Sequence, residues 1–295
     1  MRKHMIHKMT AIAILAIGSL VGCGGGGGSG GASTKTGYFI DSAVEGLEYT
    51  SGSTTGITGA DGSFKYEEGK PVTFKIGNMV LGSLTVTNSR VFPVDLVSGA
   101  TDESHPKVSL MAQILQTLDS DGDASNGITI NETARRAITE VIEVATDNTT
   151  QTSNAINRLL STATADRTGG STNTLVSDTT AKNHLQANLL QEYIGTWTGT
   201  YSGNDSGTCT IHIGYFANTP TGVVYTVGTC TSNQFSAQQG GVGTLNAMQF
   251  PSSGTFQGSL TTGAVFSGQF TRKGTMSGTW VNGNSYSGSW TLTKQ

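Results

Sequence analysis

The sequence predicts a multidomain, mainly β protein: a small β-sandwich, a short α-helical bundle and a C-terminal antiparallel up-and-down β-barrel of about eight strands. Three observations carry that expectation. Residues 37–97 alternate short apolar or threonine-rich runs with glycine turns. The apolar period then lengthens to that of helices through residue 193, and from residue 194 a strand-and-turn pattern takes over that settles into a repeat of ten.

The N-terminus comes before all three. Arg2, Lys3 and Lys8 precede an apolar run from Ala11 to Gly22, followed by Cys23. That is the charged, apolar, small-residue order of a signal peptide, and the run is shorter than the roughly 20 residues a transmembrane helix needs. Leu20-Val21-Gly22-Cys23 resembles the lipobox of bacterial lipoproteins. The resemblance implies cleavage before Cys23, a diacylglyceryl group on its thiol and an acyl chain such as palmitate on the new N-terminus. Several chains on one cysteine suffice for stable anchoring, whereas one gives only marginal residence. Gly24 follows where an aspartate would signal retention, so the family's sorting habit points to the outer membrane of a Gram-negative cell, with the periplasmic or surface face left open. Residues 23–36 are the lipidated cysteine and its tether, because Gly24 to Gly31 holds only glycine and one serine and behaves as a flexible coil.

Removing the signal peptide leaves 14 basic against 20 acidic residues, a formal charge of −6. Nucleic acid is excluded as a partner, since phosphate neutralisation needs a clustered basic surface. The membrane, through acylated Cys23, is one expected partner; a protein, a polysaccharide or a small molecule is the other.

In residues 37–97 the strands are read at Tyr38–Ile40, Leu47–Tyr49, Ser63–Tyr66, Val72–Ile76 and Leu84–Val86. Gly59-Ala60-Asp61-Gly62-Ser63-Phe64, preceded by Ala43-Val44-Glu45-Gly46, resembles the prealbumin-like modules of bacterial surface proteins and the regulatory domain of carboxypeptidases. That resemblance implies a spacer or adhesive element. In residues 98–193 one apolar face runs through Met111, Ile114, Leu115 and Leu118. A second runs through Ala134, Ala137, Ile138, Val141, Ile142 and Ala145, a third through Ile156, Leu159, Leu160 and Ala163, and a fourth helix is expected at Thr179–Tyr193. Such stripes cover one another in a small bundle.

Residues 194–295 carry four units ten apart, Phe256-Gln257-Gly258-Ser259-Leu260, Phe266-Ser267-Gly268-Gln269-Phe270, Met276-Ser277-Gly278-Thr279-Trp280 and Tyr286-Ser287-Gly288-Ser289-Trp290. Each central glycine falls on the same face as the large residues, and Gly254, Gly263, Gly274 and Gly283 stand where tight turns are needed. Four earlier runs, at Ile194–Tyr201, Thr208–Tyr215, Val223–Cys230 and Gly243–Phe250, bring the count to about eight strands. Gly195-Thr196-Trp197 is similar to the opening of lipocalin-like and avidin-like barrels, and Tyr286–Trp290 to part of a membrane-occupation repeat, whose units are twice as long. Trp197, Trp280 and Trp290 either fill the core or line a pocket. With a turn at residues 218–221, facing positions sum to 439, as 209 and 230 do, so Cys209 and Cys230 are expected to form a disulfide in an oxidising compartment.

One constellation suggests a metal. Asp119-Ser120-Asp121-Gly122-Asp123 resembles the opening of an EF-hand calcium loop and Gly127–Glu132 its close. The halves sit two residues out of register, and Thr129–Glu132 also fits a helix capping box. The implied cofactor is Ca²⁺, with Asp119, Asp121, Asp123 and Glu132 as ligands. Catalysis is not expected. His105, His184 and His212 lie in no recognisable motif, and no nucleophile elbow is present. The sequence thus reads as an anchored extracytoplasmic lipoprotein with a binding, structural or adhesive role; the second reading is a barrel that binds a small apolar or aromatic ligand.

Overall fold

The computed structural model describes residues 33–216, 223–233, 242–283 and 285–295. The segment expected to be a signal peptide, Cys23, the expected tether up to residue 32 and the turn expected at residues 218–221 lie outside them. Alternating burial sets the first strands: in Pro71–Ile76 the chain turns Val72, Phe74 and Ile76 inward and Thr73 and Lys75 outward. The strands are β1 (Thr34–Phe39), β2 (Val44–Glu45), β3 (Glu48–Ser51), β4 (Thr54–Ile57), β5 (Ser63–Glu67), β6 (Pro71–Ile76), β7 (Met79–Thr85) and β8 (Arg90–Val91). One sheet has the order β5-β1-β8, and β7-β6-β3-β4 run side by side in another. The two face each other through three phenylalanines. Phe74 meets Phe39 edge-on at 4.8 Å and Phe64 at 4.9 Å, so each ring buries its face against another's edge. Gly37 is required beneath them, because a methyl there would enter the Phe64 ring.

The helices are α1 (Pro106–Thr117), α2 (Glu132–Ala137), α3 (Thr149–Ala163) and α4 (Asp178–Gln191). Pro106 sits at the first turn of α1, where its missing N–H is not needed, and His105 Nδ1 accepts the Lys107 N–H. Between α1 and α2, β9 (Ile128–Thr129) pairs in parallel with β2. The stripe from Ala134 to Ala145 does not make one helix. α2 stops at Ala137, and β10 (Ile142–Glu143) adds in parallel to β7, leaving Val141 80% exposed. Asn78 draws the chain away, its N–H bonding to Ile138 O at 2.9 Å and its Nδ2 to Thr139 O at 2.9 Å. The β-branched residues Ile138, Thr139, Val141 and Ile142 also resist helix. α1 packs against α3 and α4. Buried residues from Phe39 to Leu189 form a single cluster, so the segments separated in sequence at residue 97 share one core.

The C-terminal strands are β11 (Gly195–Gly203), β12 (Gly207–Gly214), β13 (Tyr225–Ser232), β14 (Val242–Gln249), β15 (Thr255–Ser259), β16 (Val265–Phe270), β17 (Thr275–Asn282) and β18 (Tyr286–Lys294). They pair in the order β14-β13-β12-β11-β18-β17-β16-β15, every pair antiparallel. The edges β14 and β15 almost meet: Leu245 bridges to Leu260, and Thr261 N–H bonds to Thr244 O at 2.9 Å. The result is a nearly closed eight-stranded barrel with its own core.

The ten-residue repeat explains how that core closes. Register sets Phe256 against Gly268, Phe266 against Gly258, Trp280 against Gly288 and Trp290 against Gly278. Each large ring therefore lies over a position with no side chain, which lets the sheet curl tightly. The turn glycines 254, 263, 274 and 283 all have positive φ, the conformation only glycine adopts without strain. Trp197, Trp280 and Trp290 are buried, and their indole N–H groups donate to Tyr193 O, Ser202 O and Ser267 O.

Polar contacts join the barrel to the rest. Arg272, in the β16–β17 turn, donates both terminal nitrogens to Asp95 and lies over the Phe92 ring at 4.8 Å. Arg90 pairs with Glu192 at 2.6 Å. Glu103 accepts from Gln186 at 2.6 Å and from Ser252 at 2.5 Å. None of the helices among the described residues is long and apolar enough to cross a membrane.

Candidate ligand site in the barrel mouth

The two ends of the barrel differ. At the end that receives the chain from α4, aromatic side chains form a stopper, with Tyr193 against Phe250 at 5.1 Å, Phe250 against Phe270 at 5.4 Å and Phe270 against Trp197 at 4.8 Å. At the other end, where β11 turns into β12 and β17 into β18, lies a cavity of about 370 Å³. Its aromatic wall is Tyr201, Phe266 and Trp280. Phe266 and Trp280 are stacked at 6.2 Å, and Tyr201 presents its ring edge-on to both, at 5.9 and 5.5 Å. Leu260 and Cys230 continue the lining on the side of the seam.

Asp205 supplies the charge. It sits in the β11–β12 turn, is buried to 8% exposure and lines the cavity. Its Oδ1 accepts the Ser206 N–H at 2.6 Å and the Ser232 hydroxyl at 3.0 Å, and its Oδ2 accepts the Tyr201 hydroxyl at 3.0 Å. Burial, reinforced by this bond, pushes the Tyr201 phenol up to about 12, so it stays a donor. Asp205 is the only acidic side chain between residues 194 and 295. The basic ones there are His212, Arg272, Lys273 and Lys294. His212 contacts Thr196, Arg272 holds Asp95 with Lys273 next in the same turn, and Lys294 donates to Glu192 O, all toward the stoppered end. None of the cavity's lining residues is basic. No protein-family model, curated protein or solved structure matches this chain.

The mouth therefore offers apolar faces, hydroxyls and one carboxylate, with no histidine or thiol beside them: a set suited to holding a molecule. Sequence reasoning named Trp280 as a pocket or core residue, and it is both buried and part of the wall. It passed over Asp205, although a lone acid in about a hundred residues was a visible signal.

Cys209 and Cys230 are directly opposed in the β12–β13 ladder with Cα atoms 4.1 Å apart and form a disulfide beside the cavity, in the register their numbers predict.

The aspartate loop comes together only in part. Asp119 is buried, its Oδ1 accepting the Thr129 N–H at 2.8 Å and its Oδ2 left without a partner. Burial, with the Asp121 carboxylate alongside, pushes Asp119 up to about 6. Asp121 accepts from the Asp123 N–H and the Asn126 side chain, at 2.9 Å each. Asp123 turns to Ser125. Glu132 pairs with Arg136 at 2.5 Å, one turn along α2. The cap of α2 is Asn131, bonding the Ala134 N–H at 2.8 Å, so Thr129 is not the capping residue. The hydrogen bonds from Asn126 and the Asp123 N–H hold the Asp121 carboxyl below its usual range, and the guanidinium of Arg167, lying over Gly122, adds a smaller pull in the same direction. A cation thus finds two of its four expected ligands together. Among the described residues no group of three or more His, Cys, Asp or Glu side chains is placed to hold a metal.

His184 joins a second buried cluster. Its Nε2 lies 3.1 Å from Ser42 Oγ and 3.7 Å from Asp41 Oδ1, and Gln116 donates to Asp41 Oδ2 at 3.0 Å. Burial, the largest influence, pushes the fully enclosed Asp41 up to about 6 against the pull of His184. Serine and aspartate share one imidazole nitrogen, so no relay of nucleophile, base and orienting acid is formed.

Proposed function

We propose that this chain is a non-enzymatic binding protein of the bacterial cell envelope, anchored through acylated Cys23 and carrying a small apolar or aromatic ligand in the open end of its barrel. The supporting observation is the cavity of about 370 Å³, walled by Tyr201, Phe266 and Trp280, at the end away from the stopper. A barrel serving only as a structural plug has no use for an opening of ligand size, and such mouths are common places for small-molecule sites. The lipobox-like Leu20–Cys23 supports the anchor, and the glycine tether gives the body reach from the membrane. Calcium on the loop of Asp119 and Asp121 belongs to the same proposal, supported by the buried, unpartnered Oδ2 of Asp119.

The test uses the neutral probe N-phenyl-1-naphthylamine, whose fluorescence rises on transfer to an apolar site. The wild-type chain should bind one equivalent saturably, and Ala264→Trp, which fills the cavity from its wall, should abolish the signal. No enhancement with the wild type, or an unchanged one with the filled variant, refutes the ligand site.

A further inference from the structure

We infer that the barrel mouth selects an organic cation: a protonated amine or quaternary ammonium group carried on an aromatic or apolar body. This rests on the reading of the mouth as a ligand site and names the ligand's chemistry.

A carboxylate removed from water loses several kcal/mol of hydration unless a cation or a full set of donors replaces it. Asp205 receives three neutral donors and no cation: it takes part in none of the ion pairs among the described residues. The fold itself does not need the charge. An asparagine would accept from Ser206 and Ser232 through its oxygen and donate to Tyr201 through its nitrogen, without burying an ion. The turn is also pinned independently, Asn204 exchanging bonds with Ser287 at 3.1 and 3.0 Å. What remains for the charge is a ligand.

Three further features agree on its sign. Two carboxylate oxygens offer about four acceptor positions, of which three are taken. Phe266, Trp280 and Tyr201 line the same cavity as the carboxylate, and aromatic rings attract cations. The four basic residues of the barrel segment sit toward the opposite end, so the local field at the mouth is negative and an anion entering it would meet no compensating charge.

The experiment compares three ligands of similar skeleton with the full chain by titration calorimetry at neutral pH: 2-phenylethylammonium, 2-phenylethanol and 3-phenylpropionate. The ammonium should bind at least tenfold more tightly than the alcohol, and the carboxylate should not bind. Asp205→Asn should bring the ammonium to within about twofold of the alcohol while leaving the alcohol's affinity unchanged. Equal affinities for ammonium and alcohol in the wild type overturn the inference but leave the ligand site standing, as does a preference that survives in Asp205→Asn or tightest binding of the anion. Absence of binding by all three, together with failure of the naphthylamine test, removes the site and the inference with it. The wild-type series decides the matter if the variant fails to fold.

Discussion

Cutting the link between Cys209 and Cys230 gives the most quantitative test of the barrel. The two residues are 21 positions apart, and a cross-link closing a loop of that length removes about 11 cal/mol/K of entropy from the unfolded chain, or about 3.3 kcal/mol at 25 °C. Both side chains are buried in the barrel core, so Cys209→Ala/Cys230→Ala adds the loss of two packed sulfurs. Protein unfolded with reductant and refolded with its thiols blocked from pairing keeps those sulfurs, and its difference from the oxidised protein isolates the cross-link. For a segment of about a hundred residues, 1 kcal/mol moves the melting midpoint by roughly 4–8 °C, which places the reduced barrel at least about 13 °C lower. Differential scanning calorimetry reads this directly. Oxidised and reduced transitions coinciding within about 2 °C would refute the reasoning, and would mean that the β12–β13 ladder persists in the unfolded ensemble.

Three further outcomes are expected. Cys23→Ala should yield a soluble, unlipidated chain; an unmodified Cys23 in the N-terminal peptide of the wild type, read by mass spectrometry, would contradict the anchor. Calcium near ten times a dissociation constant of about 10⁻⁴ to 10⁻³ M should stabilise by roughly 1.4 kcal/mol, and Asp121→Ala should remove the gain; coincident melts with millimolar calcium and with chelator would leave the aspartates as a polar turn. Asp41 has its folded-state pKa raised from 3.8 to about 6, so the native state holds the extra proton and stability falls as pH rises through that window. Asp41→Asn should therefore raise the melting midpoint at pH 7 and leave it unchanged near pH 4; equal midpoints at pH 7 would contradict the expected cost of burying this carboxylate.

The parts of the fold legible in sequence were those written locally. The units from Phe256 to Trp290 carry both their aromatic and its opposing gap, so strand count, turns and curvature could be read from period alone, and the cystine register followed from one turn. The end of α2 was not legible, because Ala134 to Ala145 spaces its apolar residues as a helix would, and the bonds from Asn78 that divert it come from some sixty residues earlier. The shared core of residues 39–189 is equally non-local. At the aspartate loop, spacing revealed proximity but not competition: Arg136 takes Glu132 and Arg167 leans on Gly122. Asp205 was passed over because its burial depends on Ser232, 27 positions away.

The scarcity of charge in the barrel has a practical consequence for anyone who titrates this protein. Between residues 194 and 295 the only acidic or imidazole side chains in the sequence are Asp205 and His212. The N-terminal body holds nearly all the rest, including the elevated carboxyls of Asp41 and Asp119. Proton uptake on acidification is therefore concentrated in one half of the folded chain, and two calorimetric peaks recorded across pH would separate by their response: the one that moves belongs to the body of residues 33–193, and the one that stays belongs to the barrel.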